Sequence, residues 1–338
     1  MDKKFSFVIA TPLKDSRTKV GLDIGHALAR DGHKVRYFDY DKRPFPLNLY
    51  PKPLRNENYE NKYHYAVNQT LISGCRKYKP DFLLIVKGVQ IYPETIKLIS
   101  SMGVTTVGYW IDDPLDHERS MVNAPSYDIY LTNCSKTLGS YKEQGLTNVH
   151  HLPSAVNTAH FSRTKVRKRY DISFLGTHSA YREEMLSQLE VNGLHIFGPG
   201  WQKNSSISQW HKNDNIDSVQ LHPGAFGRHT NLVFNQSKVN LNIHNWFGKG
   251  HAMNLRLYEV PAAGGFLLTD WVEEIDKYFE QDKHVVCFKS VEEMNEKAKF
   301  YVNNDQARNT IADAGYEHVL KHHSYDARIR DLINIITG

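Results

Sequence analysis

The stretch Asn254-Leu-Arg-Leu-Tyr-Glu-Val-Pro-Ala-Ala-Gly-Gly-Phe-Leu-Leu-Thr-Asp270 predicts a short helix followed by a buried strand. The side chain of Asn254 can cap the helix by accepting a hydrogen bond from a backbone N–H one turn further on. Pro261 has no N–H to donate, so the helix should be short or kinked. Gly264 and Gly265 supply the backbone freedom that a helix end needs. The apolar run after them has the length of a central strand in a parallel sheet.

The polar half of this stretch suits a nucleotide sugar. Arg256 and Glu259 are three residues apart, so they share one face of the helix. A helix N-terminus offers free N–H groups and a partial positive charge to a diphosphate, and Arg256 can add a bidentate contact. The carboxylate of Glu259 can accept hydrogen bonds from both hydroxyls of a ribose. A capped helix with an Arg–Glu surface pair is the alternative that these residues leave open.

The same stretch resembles the signature of the glycosyltransferases related to the spore maturation protein CgeB. The matching pattern is Asn-x-Arg-x-Tyr-Glu-x-x-Ala-x-Gly-Gly-Phe-Leu-Leu-Thr-Asp. These enzymes are grouped with the GT-B fold, and their second domain is similar to glycosyltransferase family 4. The resemblance implies that Glu259 holds the donor ribose and that the reaction retains the anomeric configuration. Many family-4 enzymes carry a second glutamate, which contacts the sugar, eight residues earlier; here that position is His251.

Length and composition are those of a globular chain with about two domains, since it has 338 residues, of which 40% are hydrophobic and 23% charged. No apolar run approaches the roughly 20 residues that span a bilayer. The N-terminal apolar segment is short and runs into Pro12 and Lys14, which favours a first strand over a signal peptide. Three widely spaced cysteines favour a reducing compartment, so we expect a cytoplasmic protein.

The net charge of +5 is mild. It indicates a phosphate-bearing ligand, or loose contact with anionic polymers or a membrane surface. A nucleic-acid-binding protein would show denser basic clusters. The only concentrated basic run is 165–169, which we interpret as part of a solvated linker. We therefore predict no nucleic-acid partner.

Two α/β patterns follow each other along the chain. Strand Phe5–Ala10, helix Val20–Arg30 and strand Lys34–Tyr40 form a β-α-β start typical of doubly wound sheets. The pattern restarts with a strand at 171–176, whereas 43–62 and 201–223 are predicted to be irregular. We predict an α/β GT-B fold, with two Rossmann-like doubly wound domains facing a cleft. The predicted divisions are an acceptor-side domain (1–160), a nucleotide-sugar-binding domain (161–322) and a C-terminal helix (323–338) that packs back on the first domain.

Several candidate donor contacts follow predicted strands of the second domain, where ligands of such sheets bind. Gly176 lets backbone approach a ligand closely, and by resemblance Arg182 touches the diphosphate; an exposed helical arginine is the alternative. Trp201 can stack on a base or pack in the core. His244 is either a ligand contact or a hydrogen-bonded histidine at a strand end. The full donor-binding set is Gly176, His178, Arg182, Trp201, His244, His251, Asn254, Arg256, Glu259, Gly264 and Gly265.

In the first domain, a predicted strand runs directly into Asp112 and Asp113. A carboxylate at that point can bind an acceptor hydroxyl or take its proton, and a turn cap is the alternative. We take Asp113 and Asp112 as the catalytic candidates without separating them. Asp39-Tyr-Asp41 matches the metal-binding Asp-x-Asp of single-domain GT-A transferases, but that fold leaves the second α/β pattern unexplained. No motif has zinc-ligand spacing, so we predict no metal.

These observations together predict a glycosyltransferase. It would move a sugar from a nucleotide-diphosphate sugar, with a UDP-sugar favoured, to a hydroxyl of a glycan, protein or small-molecule acceptor. We expect retention and no metal requirement, because the helix dipole and arginine can neutralise the leaving diphosphate. A sugar-nucleotide epimerase of the same fold and a two-lobed binding protein without catalysis remain the alternatives.

Overall fold

The computed structural model describes residues 3–13, 19–204, 206, 219–245 and 252–338. The chain divides into two compact units, and the first combines Met1–Pro153 with the C-terminal segment Tyr325–Gly338. The second unit is Ser154–Ser324. In the described part of each unit, six parallel strands form one sheet.

The sheet of the first unit has the strand order β2-β1-β3-β4-β5-β6. The strands are β1 Ser6–Ala10, β2 Lys34–Phe38, β3 Phe82–Val86, β4 Thr105–Trp110, β5 Ile129–Thr132 and β6 Val149–His151. The helices are α1 Val20–Arg30, α2 Glu57–Tyr78, α3 Pro93–Ser101, α4 His117–Asn123, α5 Leu138–Glu143 and the C-terminal α13 Tyr325–Thr337. Strand β3, Phe-Leu-Leu-Ile-Val, is buried along its whole length, as a central strand covered on both faces requires.

Helix α2 begins earlier than the sequence pattern indicates. The predicted loop 43–62 ends at residue 56, because the Asn56 side chain accepts a hydrogen bond from the Tyr59 backbone N–H at 3.0 Å and so caps the helix. The loop itself contains two short 3-10 turns, Leu47–Leu49 and Lys52–Leu54. What remains irregular is therefore the segment directly after β2.

Helix α13 packs with α1 within the first unit. Arg30 of α1 and Asp326 of α13 form an ion pair at 2.6 Å, and Ile329 and Leu332 of α13 are buried. On α1, Ile24 and Leu28 are among the buried apolar residues.

The sheet of the second unit has the strand order β12-β11-β10-β7-β8-β9. The strands are β7 Tyr170–Leu175, β8 Leu194–Phe197, β9 Gln220–His222, β10 Ser237–Asn242, β11 Leu267–Asp270 and β12 Val286–Phe288. The helices are α6 Ala180–Ser187, α7 Trp201–Asn204, α8 Arg228–Gln236, α9 Arg256–Ala262, α10 Ile275–Tyr278, α11 Val291–Asn303 and α12 Asp305–His322. Strand β9 and helix α7 lie in the segment 201–223, which the sequence predicts to be wholly irregular.

The topology of the second sheet defines one special point. Strands β7 and β10 are neighbours, yet the chain runs from β7 towards β9 on one side and from β10 towards β12 on the other. Ligands of open α/β sheets bind at the carboxyl ends of the strands where the order reverses in this way. The prediction of two Rossmann-like doubly wound domains is confirmed. The residues that follow β7 and β10 are therefore the leading candidates for a ligand site.

Two further observations bear on the compositional predictions. Within the described residues, no helix combines the length and the apolar character needed to cross a membrane. All three cysteines, Cys75, Cys134 and Cys287, are buried free thiols.

Candidate functional site

The turn after β7 is built for close approach of backbone. The Gly176 N–H donates to the Phe197 carbonyl oxygen at 2.9 Å. A Cβ on Gly198 would lie 1.9 Å from the Gly176 carbonyl oxygen, so any larger residue there would clash with the main chain. The Trp201 indole N–H donates to that same oxygen at 2.9 Å. The ends of β7 and β8 are therefore locked together, and the turn at Gly176 has a fixed shape.

Arg182, in the first turn of α6, joins the two strands of the switch point. Its Nε donates to the carbonyl oxygen of Ile243, directly after β10, at 3.0 Å, and its Nη1 donates to that of Thr177 at 2.9 Å. Burial and then the charge of Arg256 lower the pKa of Arg182 to about 10. These bonds use two of the five N–H donors of a guanidinium. The positive charge is thus held in a desolvated position at the carboxyl edge of the sheet.

Arg256 brings a second guanidinium to the same strand end. Its Nε donates to the carbonyl oxygen of Leu175, the last residue of β7, at 3.3 Å. Its Nη1 pairs with the Glu259 carboxylate, and the two side chains are only 25% and 13% exposed. The predicted shared face of Arg256 and Glu259 is confirmed, but the pair lies at a sheet edge and not on an open surface.

A buried pair, His244 and Asp270, lies at the carboxyl ends of β10 and β11. Both side chains are fully buried. The Asp270 carboxylate, at the end of β11, accepts from the His244 backbone N–H at 3.0 Å and lies 2.6 Å from its Nδ1. His244 Nε2 is then free to accept from the Asn254 backbone N–H at 3.4 Å. The geometry fits the alternative of a hydrogen-bonded strand-end histidine. Asp270 was not among the predicted site residues, although it closes the signature stretch.

The start of α9 is tied to the sheet by an amide chain. Asn254 Nδ2 donates to Asn242 Oδ1 at 2.9 Å, and Asn242 Nδ2 donates to Thr269 Oγ1 at 2.9 Å. Asn254 Oδ1 accepts from the Arg256 backbone N–H at 3.1 Å, two residues on, while Leu255 occupies the N-cap position. The prediction that Asn254 caps one turn further on is therefore wrong, because its side chain forms a local turn with the Arg256 backbone N–H.

In the first unit, Asp113 is enclosed by protein donors. Its side chain has no exposed surface. One carboxylate oxygen lies 2.9 Å from His117 Nδ1, and the other accepts from the hydroxyls of Thr132, Tyr141 and Thr137 at 2.6, 2.9 and 3.2 Å. Burial and then the Asp113 charge raise the pKa of Tyr141, which keeps this hydroxyl protonated as a donor. Both oxygens of Asp113 are thus occupied and covered, which argues against the predicted contact of this residue with a substrate.

Asp112, the residue before Asp113, is in contrast partly exposed to solvent. Its side chain is 38% exposed and forms an ion pair with Lys87, which directly follows β3 and has a positive φ of 61°. His117 is 23% exposed, and its Nε2 lies 2.7 Å from Ser140 Oγ. Lys87 and His117 were missed from the sequence. A lysine immediately after a buried strand was the signal for the first, and the spacing of four residues from Asp113 was the signal for the second.

Comparison with known proteins identifies the kind of molecule. Residues 181–334 match the glycosyl transferase-like family. Spore protein CgeB of Bacillus subtilis (strain 168) is 21% identical over 271 residues, which are 74% of this chain and 80% of CgeB. The chain is a CgeB-like glycosyltransferase of the GT-B fold. Two solved structures are similar to this chain in fold. Sucrose-phosphate synthase from Thermosynechococcus elongatus has a TM-score of 0.69 and 11% identity, with 99% of this chain and 98% of that chain covered. Anabaena HepE in complex with UDP and glucose has a TM-score of 0.64 and 8% identity, with 98% of this chain and 99% of that chain covered.

The remaining predicted donor residues of this glycosyltransferase fall into two groups. His178 and Trp201 lie beside the Gly176 turn, but the Trp201 ring is 1% exposed and packs edge-on against Phe174, so it presents no face to a base. His178 Nε2 lies 2.6 Å from Glu183 Oε2. Both side chains therefore shape the turn from within, which is the core-packing alternative for Trp201. His251 lies outside the described residues.

Gly264 and Gly265 lie at a different end of the sheet from the other predicted donor contacts. They end α9 as predicted, with a φ of +72° at Gly264, but they precede β11, so they lie at its amino end. A Cβ on Gly265 would meet Asn240 Nδ2 at 2.8 Å, and one on Gly264 would meet Arg163 Cγ at 2.4 Å. Ligands of open α/β sheets bind at the carboxyl ends of the strands. Gly264 and Gly265 serve the end of α9, and their place at the opposite end of β11 argues against the predicted donor contact.

The rival Asp-x-Asp pair is engaged by the main chain. Asp39 Oδ1 accepts from the backbone N–H groups of Leu13 and Asp41 at 3.3 and 3.1 Å. Burial and then the Asp39 charge raise the pKa of Asp41. Within the described residues, no three His, Cys, Asp or Glu side chains are grouped so as to hold a metal ion.

Proposed function

We propose that this enzyme transfers a sugar from a nucleotide-diphosphate sugar, preferably a UDP-sugar, to an acceptor hydroxyl. One observation carries the proposal: Arg182 and Arg256 both bond to carbonyl oxygens at the switch point of the second sheet. Two guanidiniums at such a point match a diphosphate in charge and in hydrogen-bond geometry. The UDP and glucose named for the similar Anabaena HepE support the choice of donor.

Glu259 is the group that we assign to the donor ribose. It is on the face of α9 that also carries Arg256, and its side chain is 13% exposed. A partly buried carboxylate accepts hydrogen bonds from a diol more strongly than an exposed one, since less water competes for it. The pairing with Arg256 keeps it oriented before the donor arrives.

On the acceptor side, we propose that Asp112, and not the buried Asp113, meets the substrate. Asp112 has an exposed carboxylate, and Lys87 holds it in place. We assign it the binding of the acceptor hydroxyl and the removal of its proton. Asp113 instead positions His117, whose ring is partly exposed at the same end of β4. This makes Asp113 a positioning residue and not a catalytic one.

The remaining features of the proposal concern the leaving group and the setting. Arg182 and Arg256 supply the charge that stabilises the departing diphosphate, so no metal is needed. Retention of the anomeric configuration is proposed on the resemblance to CgeB-like enzymes. The three buried free thiols support work in a reducing compartment such as the cytoplasm. The acceptor is a glycan, a protein or a small molecule.

A thermal-shift screen tests the donor assignment. A ligand that binds only the native state raises the unfolding temperature, so UDP, GDP, ADP and their sugars can be ranked directly. Arg182→Gln and Arg256→Gln should abolish the shift, whereas Arg330→Gln, at an exposed position of α13, should leave it unchanged. Transfer or hydrolysis of a labelled sugar from the best ligand then establishes the reaction. Wild-type protein that is stabilised by none of the nucleotides would refute the proposal.

A further inference from the structure

The segment directly after β2 exposes large apolar side chains to an unusual degree. Phe45 is 79% exposed, Leu49 67%, Leu54 62% and Tyr50 48%. All four lie within ten residues, and we call them the apolar loop residues. Single exposed apolar side chains are normal on a protein surface, but a run of four in one short loop indicates an interaction site.

The conformation of this loop is fixed, so the exposure is a property of the fold. Tyr59 of α2 donates its hydroxyl to the Leu47 carbonyl oxygen at 2.7 Å. Arg55 donates to the Tyr50 carbonyl oxygen from both Nε and Nη2, at 3.2 and 3.0 Å. Four prolines at 44, 46, 51 and 53 restrict the backbone further. Leu47 packs against the core of the first unit while its neighbours face outward.

The loop and the first turns of α2 carry a net positive charge, although Asp41 and Glu57 are exposed beside the lysines. Residues 42–65 contain five basic and two acidic side chains. One acidic group, Glu60, is already paired with Arg43 at 2.9 Å. Lys42 and Lys52 are exposed beside the apolar loop residues, and Lys62 is exposed on the first turns of α2. An apolar surface rimmed by lysines is complementary to lipid, whose acyl boundary is apolar and whose headgroups are anionic.

We propose that this loop docks the enzyme on an anionic membrane surface. The apolar loop residues enter the boundary between headgroups and acyl chains, and the lysines contact lipid phosphates. A second copy of the chain fits less well, because two such surfaces would bring like charges together. The proposal goes beyond the transfer reaction and needs neither the donor site nor Asp112, so the two proposals can fail separately.

Vesicle sedimentation of the full chain tests this proposal. Binding should be seen with vesicles of phosphatidylcholine plus phosphatidylglycerol, weaken in high salt, and be much lower with phosphatidylcholine alone. Phe45→Ser combined with Leu49→Ser should lower the affinity for the anionic vesicles about tenfold or more, since each side chain loses apolar burial. Lys42→Glu combined with Lys52→Glu should do the same through charge.

The control variant is Phe300→Ser, which removes another exposed phenylalanine ring, 51% exposed against 79% for Phe45, from the second unit. It should sediment like the wild type, and all variants should keep the wild-type unfolding temperature and nucleotide-induced shift. Equal binding by wild type and both double variants, or no binding to anionic vesicles, would overturn the proposal. So would a wild-type dimer in light scattering that the Phe45/Leu49 variant abolishes, because the loop would then be an interface between copies.

Discussion

Replacing Asp113 with asparagine should destabilise the first unit, whereas the same replacement at Asp112 should remove transfer and leave stability almost unchanged. The two residues are adjacent in the chain and the substitution is chemically identical. Only their surroundings differ, with a fully buried carboxylate at Asp113 and a 38% exposed one at Asp112. The pair is therefore a matched test of which carboxylate holds the fold and which meets the substrate.

The expected loss at Asp113 follows from its hydrogen bonds. An asparagine keeps one oxygen for His117 but turns an NH₂ group towards the three hydroxyls. Thr137 and Tyr141 have second acceptors, the Cys134 carbonyl oxygen at 2.8 Å and the Ser120 hydroxyl at 2.5 Å. For Thr132 the other acceptors are the Thr137 hydroxyl at 3.1 Å and the Cys134 carbonyl oxygen at 3.5 Å, both further away than the Asp113 carboxylate at 2.6 Å, so its hydroxyl loses its shortest hydrogen bond.

A hydrogen bond to a buried charged group is worth about 1.5–3 kcal/mol. For a unit of this size each kcal/mol lowers the unfolding midpoint by about 2–4 °C. Asp112 forms one exposed ion pair, which is worth about 0–1 kcal/mol. Removing its carboxylate should slow transfer by about 10²–10⁴-fold if it takes the proton of the acceptor hydroxyl.

Thermal unfolding and initial rates of sugar transfer measure the two effects on the same samples, and calorimetry checks that both variants still bind nucleotide with wild-type affinity. Should Asp113→Asn unfold at the wild-type temperature and lose transfer, Asp113 would be the chemical group and our reassignment would fail. A fully active Asp112→Asn variant would remove the acceptor-side role from this position and leave His117 as the next group to test.

Three further outcomes are expected. Glu259→Ala should weaken nucleotide binding about tenfold or more without unfolding the protein, and Glu259→Gln should separate the lost charge from the lost shape; unchanged calorimetric affinities would contradict the ribose assignment. Transfer should survive EDTA, and abolition by the chelator with rescue by Mn²⁺ would return attention to Asp39 and Asp41. Burial lowers the pKa of His284 and His318, and His318 also lowers that of His284. Because the unfolded chain then binds more protons below the ordinary histidine pKa of about 6.5, stability should be full above that pH and fall as the pH drops through it. Unfolding midpoints at neutral and mildly acidic pH should show this fall, and His284→Gln should make it smaller.

Most of the fold was predictable because its elements are locally consistent. Helix Val20–Arg30 has the bounds that its apolar period and the glycine after it predict. Strand β9 was missed because Gln220-Leu-His222 is too short and too polar to carry a period of its own; its place is set by pairing with β8. A pattern within one short stretch of sequence carries no information about the strand with which that stretch pairs.

The site was predictable to a lesser extent. The signature stretch located Arg256 and Glu259, since spacing along a helix fixes which side chains share a face. In the first unit, the sequence pattern did not separate Asp112 from Asp113. Which carboxylate turns inward depends on hydroxyls from residues 132, 137 and 141, which come later in the chain. The sequence pattern also treated Gly264 and Gly265 as ligand contacts, although their place at the amino end of β11 follows from the direction of the strand.

The packing of α13 on α1 has a consequence for biosynthesis. The first unit draws on both ends of the chain, so its last helix leaves the ribosome only after the whole second unit has been made. Until then the part of α1 that packs on α13 is uncovered, and the nascent chain must carry this face through roughly half of its synthesis. A recombinant fragment that stops at Pro153 would retain that face permanently and should aggregate, whereas a circular permutant that links α13 directly to β1 would make each unit continuous in sequence.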